Sequence, residues 1–404
     1  MGEESMAIDG GSAVIGLDVG STAVKAVVFD RDSRRLLWQD YRRHETRQFE
    51  TCLDFLARIE AAFPGNLRVF TTGSGGAAVG QHIGAVFQQE VSVMARYVER
   101  HYPDIQSVVE LGGQDAKMVI FATDPRTGKR KKTPTMNDKC AGGTGAVIDK
   151  IAAKLRISPD GLESMPYAGV RLHPVAGKCG VFAETDINSL QKQGVHAAEL
   201  MASLFESVVL QNLSVLTRGH TLRPRVLLLG GPNQFIKGLQ ECWRFHIPRM
   251  WAERGVDVPA GVPVEELIVV PEHALYFGAL GAAECGMDQL ERQPDCGTYQ
   301  GAERLRWYIE TGRGTEHRIS GGRALVRDEA ERHDFERRYT PAPWTPASFP
   351  RGTRVEAYLG LDGGSTSTKA VLLGRDKTVL AKAYQLSCGN PIEDTQQVFE
   401  SLRR

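Results

Sequence analysis

Residues 16–25 read GLDVGSTAVK, and the pattern returns at residues 360–369 as GLDGGSTSTK. Over the wider windows 15–30 and 359–374, nine of sixteen positions are identical. Agreement of this extent indicates an internal repeat. In each copy, apolar β-branched residues flank a glycine turn, which predicts two strands joined by a tight loop. Glycines let backbone N–H groups turn toward an anion, so the loop is typical of a phosphate-binding site.

The first copy carries the groups that a nucleoside triphosphate requires. We expect Gly20, Ser21 and Thr22 to donate hydrogen bonds to phosphate and Lys25 to add positive charge. Asp18 cannot hold phosphate, and its predicted role is a direct or water-mediated contact with Mg²⁺. For this loop taken alone, a hairpin that binds no ligand is the alternative.

Two more glycine turns follow apolar segments, at residues 110–117 (ELGGQDAK) and 227–233 (LLLGGPN). In the first, Asp115 is predicted to bind Mg²⁺ or orient the attacking water, and Gln114 to position that water. The second would let a base or ribose approach the backbone. Either turn alone could be a plain loop. Together they supply the further predicted nucleotide-binding residues, which are Gly112, Gly113, Lys117, Gly230, Gly231 and Asn233.

Strands and helices alternate along the chain, which predicts layered α/β architecture. Predicted strands cover residues 13–17, 24–29, 67–71, 107–111, 116–121 and 226–229, and predicted helices cover 49–63, 77–102, 146–155, 197–217 and 234–243. The domain prediction is a disordered N-terminus (1–12), a nucleotide-binding module (13–285), a linker or small excursion (286–354) and the start of a second module (355–404). Residues 305–309 could add a strand within the excursion.

The second copy runs for only about 45 residues, which is too few to complete a core of its own. We therefore expect the natural polypeptide to continue beyond Arg404. The formal net charge of +0 gives no reason to expect binding to nucleic acid or to an anionic membrane. No apolar run approaches the ~18 residues that span a bilayer. MGEESM at the N-terminus lacks the basic start of a signal peptide, so a cytoplasmic location is expected.

The chain has seven cysteines, too few for a disulfide scaffold. Two of them, Cys140 and Cys179, stand just before predicted helices, a position that favours the thiolate. Two thiolates per chain suit a [4Fe–4S] cluster if a second copy of the module supplies two more. Zinc is one alternative, although the C-x₂-C and H-x₃-H spacings are absent. The remaining alternatives for Cys140 and Cys179 are a redox disulfide and a pair of inert thiols.

The order of the three glycine turns resembles that in the superfamily of sugar kinases, actin and heat-shock chaperones. This resemblance implies two related lobes with ATP bound in the cleft between them. A Walker A motif is absent from the sequence. Residues 73–78 (GSGGAA) imitate a dinucleotide fingerprint but lack the surrounding βαβ unit and acidic partner. In the resemblance, residues 72–76 instead form a connecting loop between lobes.

With the cysteines included, residues 13–284 resemble the activators of 2-hydroxyacyl-CoA dehydratases and the ATPase subunits of benzoyl-CoA reductases (BadF/BadG/BcrA/BcrD type). Six stretches carry this resemblance: GLDVGSTAVK (16–25), ELGGQDAK (110–117), NDKCAGGTG (137–145), KCGVFAETDI (178–187), LLLGGPN (227–233) and PEHALYFGALGAA (271–283). It implies a two-lobed actin-like (ribonuclease H-like) fold, bound ATP/ADP and Mg²⁺, and a [4Fe–4S] cluster held by Cys140 and Cys179. ATP hydrolysis would then drive delivery of a low-potential electron.

The same resemblance implies the partners. A 2-hydroxyacyl-CoA dehydratase or a benzoyl-CoA reductase-like enzyme would receive the electron, and reduced ferredoxin or flavodoxin would donate it. The cluster would be shared across a homodimer or within a pseudo-dimer of the two modules, since the second module marks the large multi-module members. Two alternatives remain: a metabolite (sugar-type) kinase on the same fold, and a nucleotide-gated binding module without catalysis. A kinase, however, has no use for two cysteines at helix starts.

Overall fold

The computed structural model describes residues 12–137, 143–177, 180–217, 219–315, 325–364 and 366–403. The described chain divides into two units. The first lies within Met1–Ala183 and Met201–Thr315, and the second within Glu184–Leu200 and Glu316–Arg404.

The first unit contains ten strands and most of the helices of the described chain. Its strands are β1 (Ala13–Val19), β2 (Ala23–Asp30), β3 (Leu36–Arg43), β4 (Leu67–Thr72), β5 (Val86–Phe87), β6 (Ser107–Leu111), β7 (Ala116–Thr123), β8 (Arg130–Asn137), β9 (Val226–Leu229) and β10 (Ile268–Val269). The helices up to Leu290 are α1 (Gln48–Ala62), α2 (Gly76–Gly80), α3 (Glu90–His101), α4 (Gly145–Lys154), α5 (Pro159–Glu163), α6 (Gly180–Lys192), α7 (Ala197–Val215), α8 (Gly231–Phe235), α9 (Lys237–Glu253), α10 (Val264–Leu267) and α11 (Phe277–Leu290). Among the described helices, none is both long and apolar enough to cross a membrane.

The ten strands form two sheets of identical topology. The first has the order β3-β2-β1-β4-β5 and the second the order β8-β7-β6-β9-β10. In each sheet the first three strands in sequence are antiparallel, and the central strand then pairs in parallel with the fourth. The mixed α/β architecture and the two related lobes expected from the sequence are therefore present.

Strand β1 is buried along its whole length because it lies at the centre of its sheet and packs under α11. The approach of this helix depends on small residues. A Cβ atom at Gly16 would lie 2.1 Å from the carbonyl oxygen of Ala279, and one at Gly281 would lie 2.4 Å from that of Val93. One apolar core joins both sheets through α3 and α11, with Val14, Phe70, Val108, Leu227 and Phe277 among its members.

The structure differs from the sequence prediction at three places. The predicted helix 77–102 is broken into α2, the short strand β5 and α3, with Gly84 at φ +75° in the connection. The predicted linker does not begin at residue 286. Helix α11 runs on to Leu290, and α12 (Glu303–Trp307) buries Ala302 and Leu305 in the core between the first sheet and α1. The strand considered at 305–309 is helical, since α12 continues into a π-helical turn at Tyr308–Gly312.

The second unit contains the repeated hairpin. A three-stranded antiparallel sheet consists of β11 (Ala357–Gly363), β12 (Ser367–Gly374) and β13 (Val379–Leu386). Two further helices are α13 (Glu329–Tyr339), which buries no residue, and α14 (Pro391–Arg403). Asp362 pairs with Lys369 across the β11–β12 hairpin in the same register as Asp18 with Lys25. The sequence repeat is therefore a repeat of structure.

The contact between Gly16 and α11 leads to a stability prediction. We expect Gly16→Ala to lower the free energy of unfolding by about 1–3 kcal/mol, because its methyl group would overlap the Ala279 carbonyl and push the helix away. Urea unfolding followed by tryptophan fluorescence measures this change. Gly314→Ala is the control, since an added Cβ there meets no described atom within 4 Å. Equal effects of the two substitutions would contradict the close packing of α11 on β1.

Candidate nucleotide-binding site

The two sheets of the first unit present the same hairpin. Asp18 lies opposite Lys25 across β1 and β2, and Glu110 lies opposite Lys117 across β6 and β7. Both turns are closed by one backbone hydrogen bond, of 3.0 Å from Gly20 N to Ala23 O and of 2.9 Å from Gly112 N to Asp115 O. Each lobe thus places a carboxylate and a lysine beside a glycine turn.

The turns that follow β4 and β9 are a second matched pair. Gly73 and Gly230 have φ values of +83° and +89°, which an L-residue rarely adopts. A Cβ on Gly73 would lie 2.6 Å from the carbonyl oxygen of Val19, and one on Gly230 would lie 2.1 Å from that of Leu111. Both positions therefore require glycine. In the first lobe, residues 73–76 form the turn that corresponds to the turn at Gly230 in the second lobe. The sequence analysis missed this relation.

A cavity of about 410 Å³ opens between these turns. Its lining includes six predicted nucleotide-binding residues: Thr22, Lys25, Gly112, Gly113, Gly230 and Gly231. The two lobes touch at its floor, where a Cβ on Gly113 would lie 2.2 Å from Oγ1 of Thr22. The first and second glycine turns, which are about 90 residues apart in the sequence, thus share one site.

The other end of the cavity is apolar. It is lined by side chains from α4 and α5 and from the turn after β9, namely Ile148, Ala152, Ile157, Leu162, Pro232, Phe235 and Ile236. Arg43 of β3 forms an ion pair with Asp149 of α4 at the rim, with one N–O contact of 3.3 Å. Nearby, the rings of Tyr41 and Phe235 lie 6.3 Å apart. The cavity therefore combines a charged end with an apolar slot, the arrangement that a nucleotide needs.

At the charged end, Lys25 Nζ lies 3.0 Å from Oδ2 of Asp18, a carboxylate that is only 2% exposed. Burial acts to lower the pKa of Lys25, but the charge and hydrogen bond of Asp18, together with the charges of Glu110 and Glu90, outweigh it, and the pKa is raised. The ammonium is therefore fully charged at neutral pH. Oδ1 of Asp18 is buried and has no hydrogen-bond partner among the described residues.

Lys117 is more deeply enclosed, with a side chain that is 1% exposed. Its Nζ lies 2.7 Å from Glu90, 3.0 Å from Asp115 and 3.4 Å from Glu110. Burial opposes its charge, but these three carboxylates raise its pKa well above the usual range. Burial raises the pKa of Glu90 to about 7, even though Lys117 acts in the opposite direction.

The charges of Glu110 and Glu90 also act on Lys25, so the two groups of ion pairs are treated together as one carboxylate–lysine cluster. Its members are Asp18, Lys25, Glu90, Glu110, Asp115 and Lys117. Four carboxylates face two ammonium groups, so the ionised cluster has an excess of negative charge. Oε2 of Glu110 is buried, and its ion pair with Lys117 over 3.4 Å is its contact among the described residues that stands in place of a hydrogen bond. Carboxylate oxygens are the ligands that Mg²⁺ prefers. The residues present therefore fit a magnesium ion.

The remaining predicted site residues lie around this cavity without lining it. Gln114 is exposed, and Ser21 is half-buried. Asn233 is buried, and its side chain is engaged by the protein: Nδ2 donates to Leu229 O over 2.8 Å and Oδ1 accepts from Trp243 Nε1 over 2.9 Å. It holds α8 and α9 together behind the turn at Gly230–Gly231.

The two motif cysteines, Cys140 and Cys179, lie outside the described residues. The segments that flank them meet on one turn of α7. Asn212 Nδ2 donates to Gly143 O over 2.7 Å, and Ser207 Oγ donates to Ala176 O over 3.1 Å. Cβ atoms at Gly143 and Gly177 would lie 3.2 and 3.7 Å from Gln211.

The sequence of this site matches a known family model. The model of the BadF/BadG/BcrA/BcrD ATPase family covers residues 15–241, more than half of the chain. The chain belongs to this ATPase family. It is 26% identical over 277 residues to the (R)-2-hydroxyglutaryl-CoA dehydratase activating ATPase of Acidaminococcus fermentans, covering 67% of this chain and 95% of that one. It is 25% identical over 303 residues to one of the benzoyl-CoA reductase subunits of Thauera aromatica, covering 71% and 98% of the two chains.

A solved structure confirms the fold of this BadF/BadG/BcrA/BcrD-type ATPase. The activator of the 2-hydroxyisocaproyl-CoA dehydratase from Clostridium difficile with bound ADPNP superposes with a TM-score of 0.56. The match has 24% sequence identity and covers 70% of this chain and 97% of that one. The actin-like two-lobed fold predicted from the sequence is therefore confirmed.

Four residues of the site were missed by sequence reasoning: Arg43, Glu90, Glu110 and Asp149. For Glu110 a signal existed, because the spacing from Glu110 to Lys117 equals that from Asp18 to Lys25. Glu90 carries no local signal, since it reaches Lys117 from the start of α3. The same holds for the ion pair of Arg43 with Asp149, whose partners are 106 residues apart.

The raised pKa of Glu90 predicts a pH dependence of folding stability. In the folded protein this carboxyl keeps its proton from its ordinary pKa of 4.5 up to about 7. Its contribution to stability is therefore lost as pH rises through this window, by at most about 1.4 kcal/mol per pH unit. Urea unfolding of wild type and Glu90→Gln between pH 5 and 8, without nucleotide, measures the difference. We expect the variant curve to fall less steeply with pH than that of the wild type.

The exposed Glu303 provides the control for this series. Glu303→Gln is expected to follow the wild-type curve at every pH, because the carboxylate of Glu303 is 86% exposed. Parallel curves for wild type and Glu90→Gln would rule out proton uptake by Glu90 in this window.

Proposed function

We propose that this ATPase is an activator that couples ATP hydrolysis to delivery of a low-potential electron to a 2-hydroxyacyl-CoA dehydratase or a benzoyl-CoA reductase-like enzyme. The observation that carries the proposal is a hydrogen-bonded path from the cleft toward the cysteine segments. The turn at Gly112–Gly113 accepts hydrogen bonds from the first turn of α4, of 3.0 Å from Gly145 N and 2.7 Å from Ala146 N. Cys140 lies five residues before this helix.

The shape of the cavity supports a pose for ATP. The adenine would occupy the apolar slot between α4, α5 and the Gly230–Gly231 turn. The phosphates would lie at the opposite end, against Lys25, Thr22 and the backbone at Gly20, with the hydroxyl of Ser21 at the edge. Lys25 has a raised pKa and is therefore charged. This pose places its ammonium group against the phosphates, the most negative part of the ligand.

The carboxylate–lysine cluster would supply the catalytic groups. Asp18 and Asp115 would hold Mg²⁺, and the ion would supply positive charge that partly neutralises the phosphates. Gln114, which is exposed, and Asp115 would orient a water molecule in line with the γ-phosphorus. As this water attacks, the bond between the γ-phosphorus and the β,γ-bridging oxygen breaks, and ADP and phosphate form. Lys117 would hold Asp115 in position over 3.0 Å.

Both cysteine segments would respond to this reaction. Thr144 Oγ1 donates to Gly113 O over 2.9 Å, so a shift of this turn upon loss of the γ-phosphate would pull on the segment that follows Cys140. The segment before Cys179 packs on the same turn of α7, which brings the two cysteines' flanks together. A [4Fe–4S] cluster held by Cys140 and Cys179 would supply a one-electron carrier at this place.

Two cysteines per module would leave two cluster ligands to a second module. A homodimer, or a pseudo-dimer of the two modules, would provide them. Reduced ferredoxin or flavodoxin is the proposed electron donor. The family relatives named above are a dehydratase activating ATPase and one of the benzoyl-CoA reductase subunits, which supports the proposed acceptor.

The internal repeat offers a matched test of the ATP site. We expect Lys25→Met to weaken ATP binding about 10- to 100-fold, the value of one charge-assisted hydrogen bond to phosphate. The equivalent substitution Lys369→Met should leave binding unchanged, because the lysine of the second hairpin is 44% exposed and faces an aspartate that is 69% exposed. Isothermal titration with a non-hydrolysable ATP analogue and Mg²⁺, together with phosphate release, measures both. Loss of binding in Lys369→Met alone would contradict the assignment.

A second test concerns the cluster. After anaerobic reconstitution with iron and sulfide, we expect a brown protein whose visible absorption is bleached by dithionite. Cys140→Ser and Cys179→Ser should each remove this absorption and the bound iron while ATP binding persists. Cys388→Ser, which changes an exposed free cysteine, is the control and should keep the cluster. A colourless, iron-free wild type that hydrolyses ATP would overturn the proposed electron transfer.

A further inference from the structure

A cluster of metal-ligating side chains lies away from the nucleotide cleft, between α7 and α9. It consists of Glu206 on α7 and Cys242 and His246 on α9, with their ligand atoms all within 4.8 Å of one another. Tyr167, in the loop after α5, adds a phenolic oxygen 2.5 Å from Oε2 of Glu206 and 3.3 Å from Nε2 of His246. Four polar atoms of different chemistry therefore converge on one point.

We propose that Glu206, Cys242 and His246 bind a divalent ion of the zinc class, with water or the Tyr167 hydroxyl as the fourth ligand. One sulfur, one imidazole nitrogen and one carboxylate oxygen form a donor set that zinc prefers over magnesium or calcium. When the zinc–sulfur bond forms, the thiol proton of Cys242 leaves to solvent. No oxidant or reductant takes part.

The spacing of the ligand atoms fits a tetrahedral ion after a small adjustment. Zinc–ligand bonds of about 2.0–2.3 Å place ligand atoms roughly 3.3–3.8 Å apart. Cys242 Sγ lies 3.7 Å from Glu206 Oε2, which already matches. The separation of 2.5 Å between His246 Nε2 and Glu206 Oε2 must lengthen by about 1 Å, which rotation of the half-buried Glu206 side chain can provide.

The helices hold two of the ligands in place before any ion binds. Cys242 and His246 are four residues apart on α9 and therefore project from the same face. Glu241 fixes the loop that carries Tyr167, because its Oε2 accepts hydrogen bonds of 2.9 Å from the backbone N–H groups of Tyr167 and Ala168. Such supporting contacts orient the groups around a metal.

Two of the three ligand side chains are partly accessible to solvent. Glu206 and His246 are half-buried, whereas Cys242 is fully buried. Tyr167 also lines a surface cavity of about 610 Å³, together with Leu172, Arg244, Phe245 and Glu265. An ion from solvent would thus meet the carboxylate and the imidazole before the thiol.

An ion at this place would link α9, which supports the turn at Gly230–Gly231, to α7, which supports the segments that flank the two cysteines. On α9, Trp243 holds the side chain of Asn233 behind the turn at Gly230–Gly231. On α7, Ser207 and Asn212 hold the segments that flank Cys179 and Cys140. The metal site requires only its own ligands, so the proposed metal binding does not depend on the proposed electron transfer.

The test uses the full chain with Cys140→Ser and Cys179→Ser as a background, so that these thiols cannot bind the added metal. Zinc alone is titrated against a chromophoric chelator, and cobalt(II) alone is added as a spectroscopic probe. We expect one ion per chain, tetrahedral cobalt absorption and a sulfur-to-cobalt charge-transfer band. Zinc should also raise the midpoint of thermal unfolding.

Single ligand variants then identify the site. Cys242→Ser should abolish the sulfur-to-cobalt band, and Glu206→Gln or His246→Gln should weaken zinc binding by about 100-fold or more. Cys285→Ser is the control and should behave as the background. Tyr167→Phe separates the two fourth ligands: unchanged affinity assigns water, and reduced affinity assigns the phenol. Absence of zinc binding in the background protein, or an intact sulfur band in Cys242→Ser, would overturn the proposal.

Discussion

The burial of Lys117 among three carboxylates is the interaction on which the ATPase site depends. Buried ion pairs seldom stabilise a fold more than apolar residues of the same size would, whereas loss of one partner costs about 3–5 kcal/mol. With Asp18 and Lys25 added, the carboxylate–lysine cluster still has more carboxylates than ammonium groups. The cluster itself therefore has unbalanced negative charge. A bound cation would remove this imbalance, which supports the proposed binding of Mg²⁺ and nucleotide.

A hairpin with a carboxylate opposite a lysine occurs three times in the described chain. The burial around each copy decides whether its charged pair can form part of a binding site. Asp18 and Lys25 are 3% and 18% exposed, whereas Asp362 and Lys369 are 69% and 44% exposed at a similar separation. An exposed ion pair contributes about 0–1 kcal/mol and is readily screened by salt. In the first unit, α11 and the opposing lobe exclude water from the pair. The sequence motif thus specifies the hairpin, and the packing around it creates the site.

Structure that depends on neighbouring residues could be predicted from the sequence, whereas contacts between distant segments of the chain could not. The hairpin register at Asp18 and Lys25 follows from alternation and a glycine turn, and the same logic holds at Gly112. Glu90 could not be assigned, because nothing near it in sequence indicates that α3 reaches Lys117. The break in the predicted helix 77–102 follows from Gly84, whose φ of +75° places a turn inside a helical pattern. The burial of Leu305 was hidden by the charged residues around it, which all face solvent on one short helix.

The proposed coupling between the cleft and the segments that flank the cysteines has a simple structural basis. The Gly112–Gly113 turn both lines the cavity and accepts the first hydrogen bonds of α4, so its position and that of the helix start are linked. Gly143, just before that helix, is held by Asn212 of α7, whose neighbouring turn also holds the chain before Cys179. Hydrogen bonds of 2.7–3.1 Å tolerate little displacement before they break. A movement of the Gly112–Gly113 turn would therefore be shared by the segments that flank both cysteines or be absorbed by α7, and the large buried face of α7 opposes the second outcome.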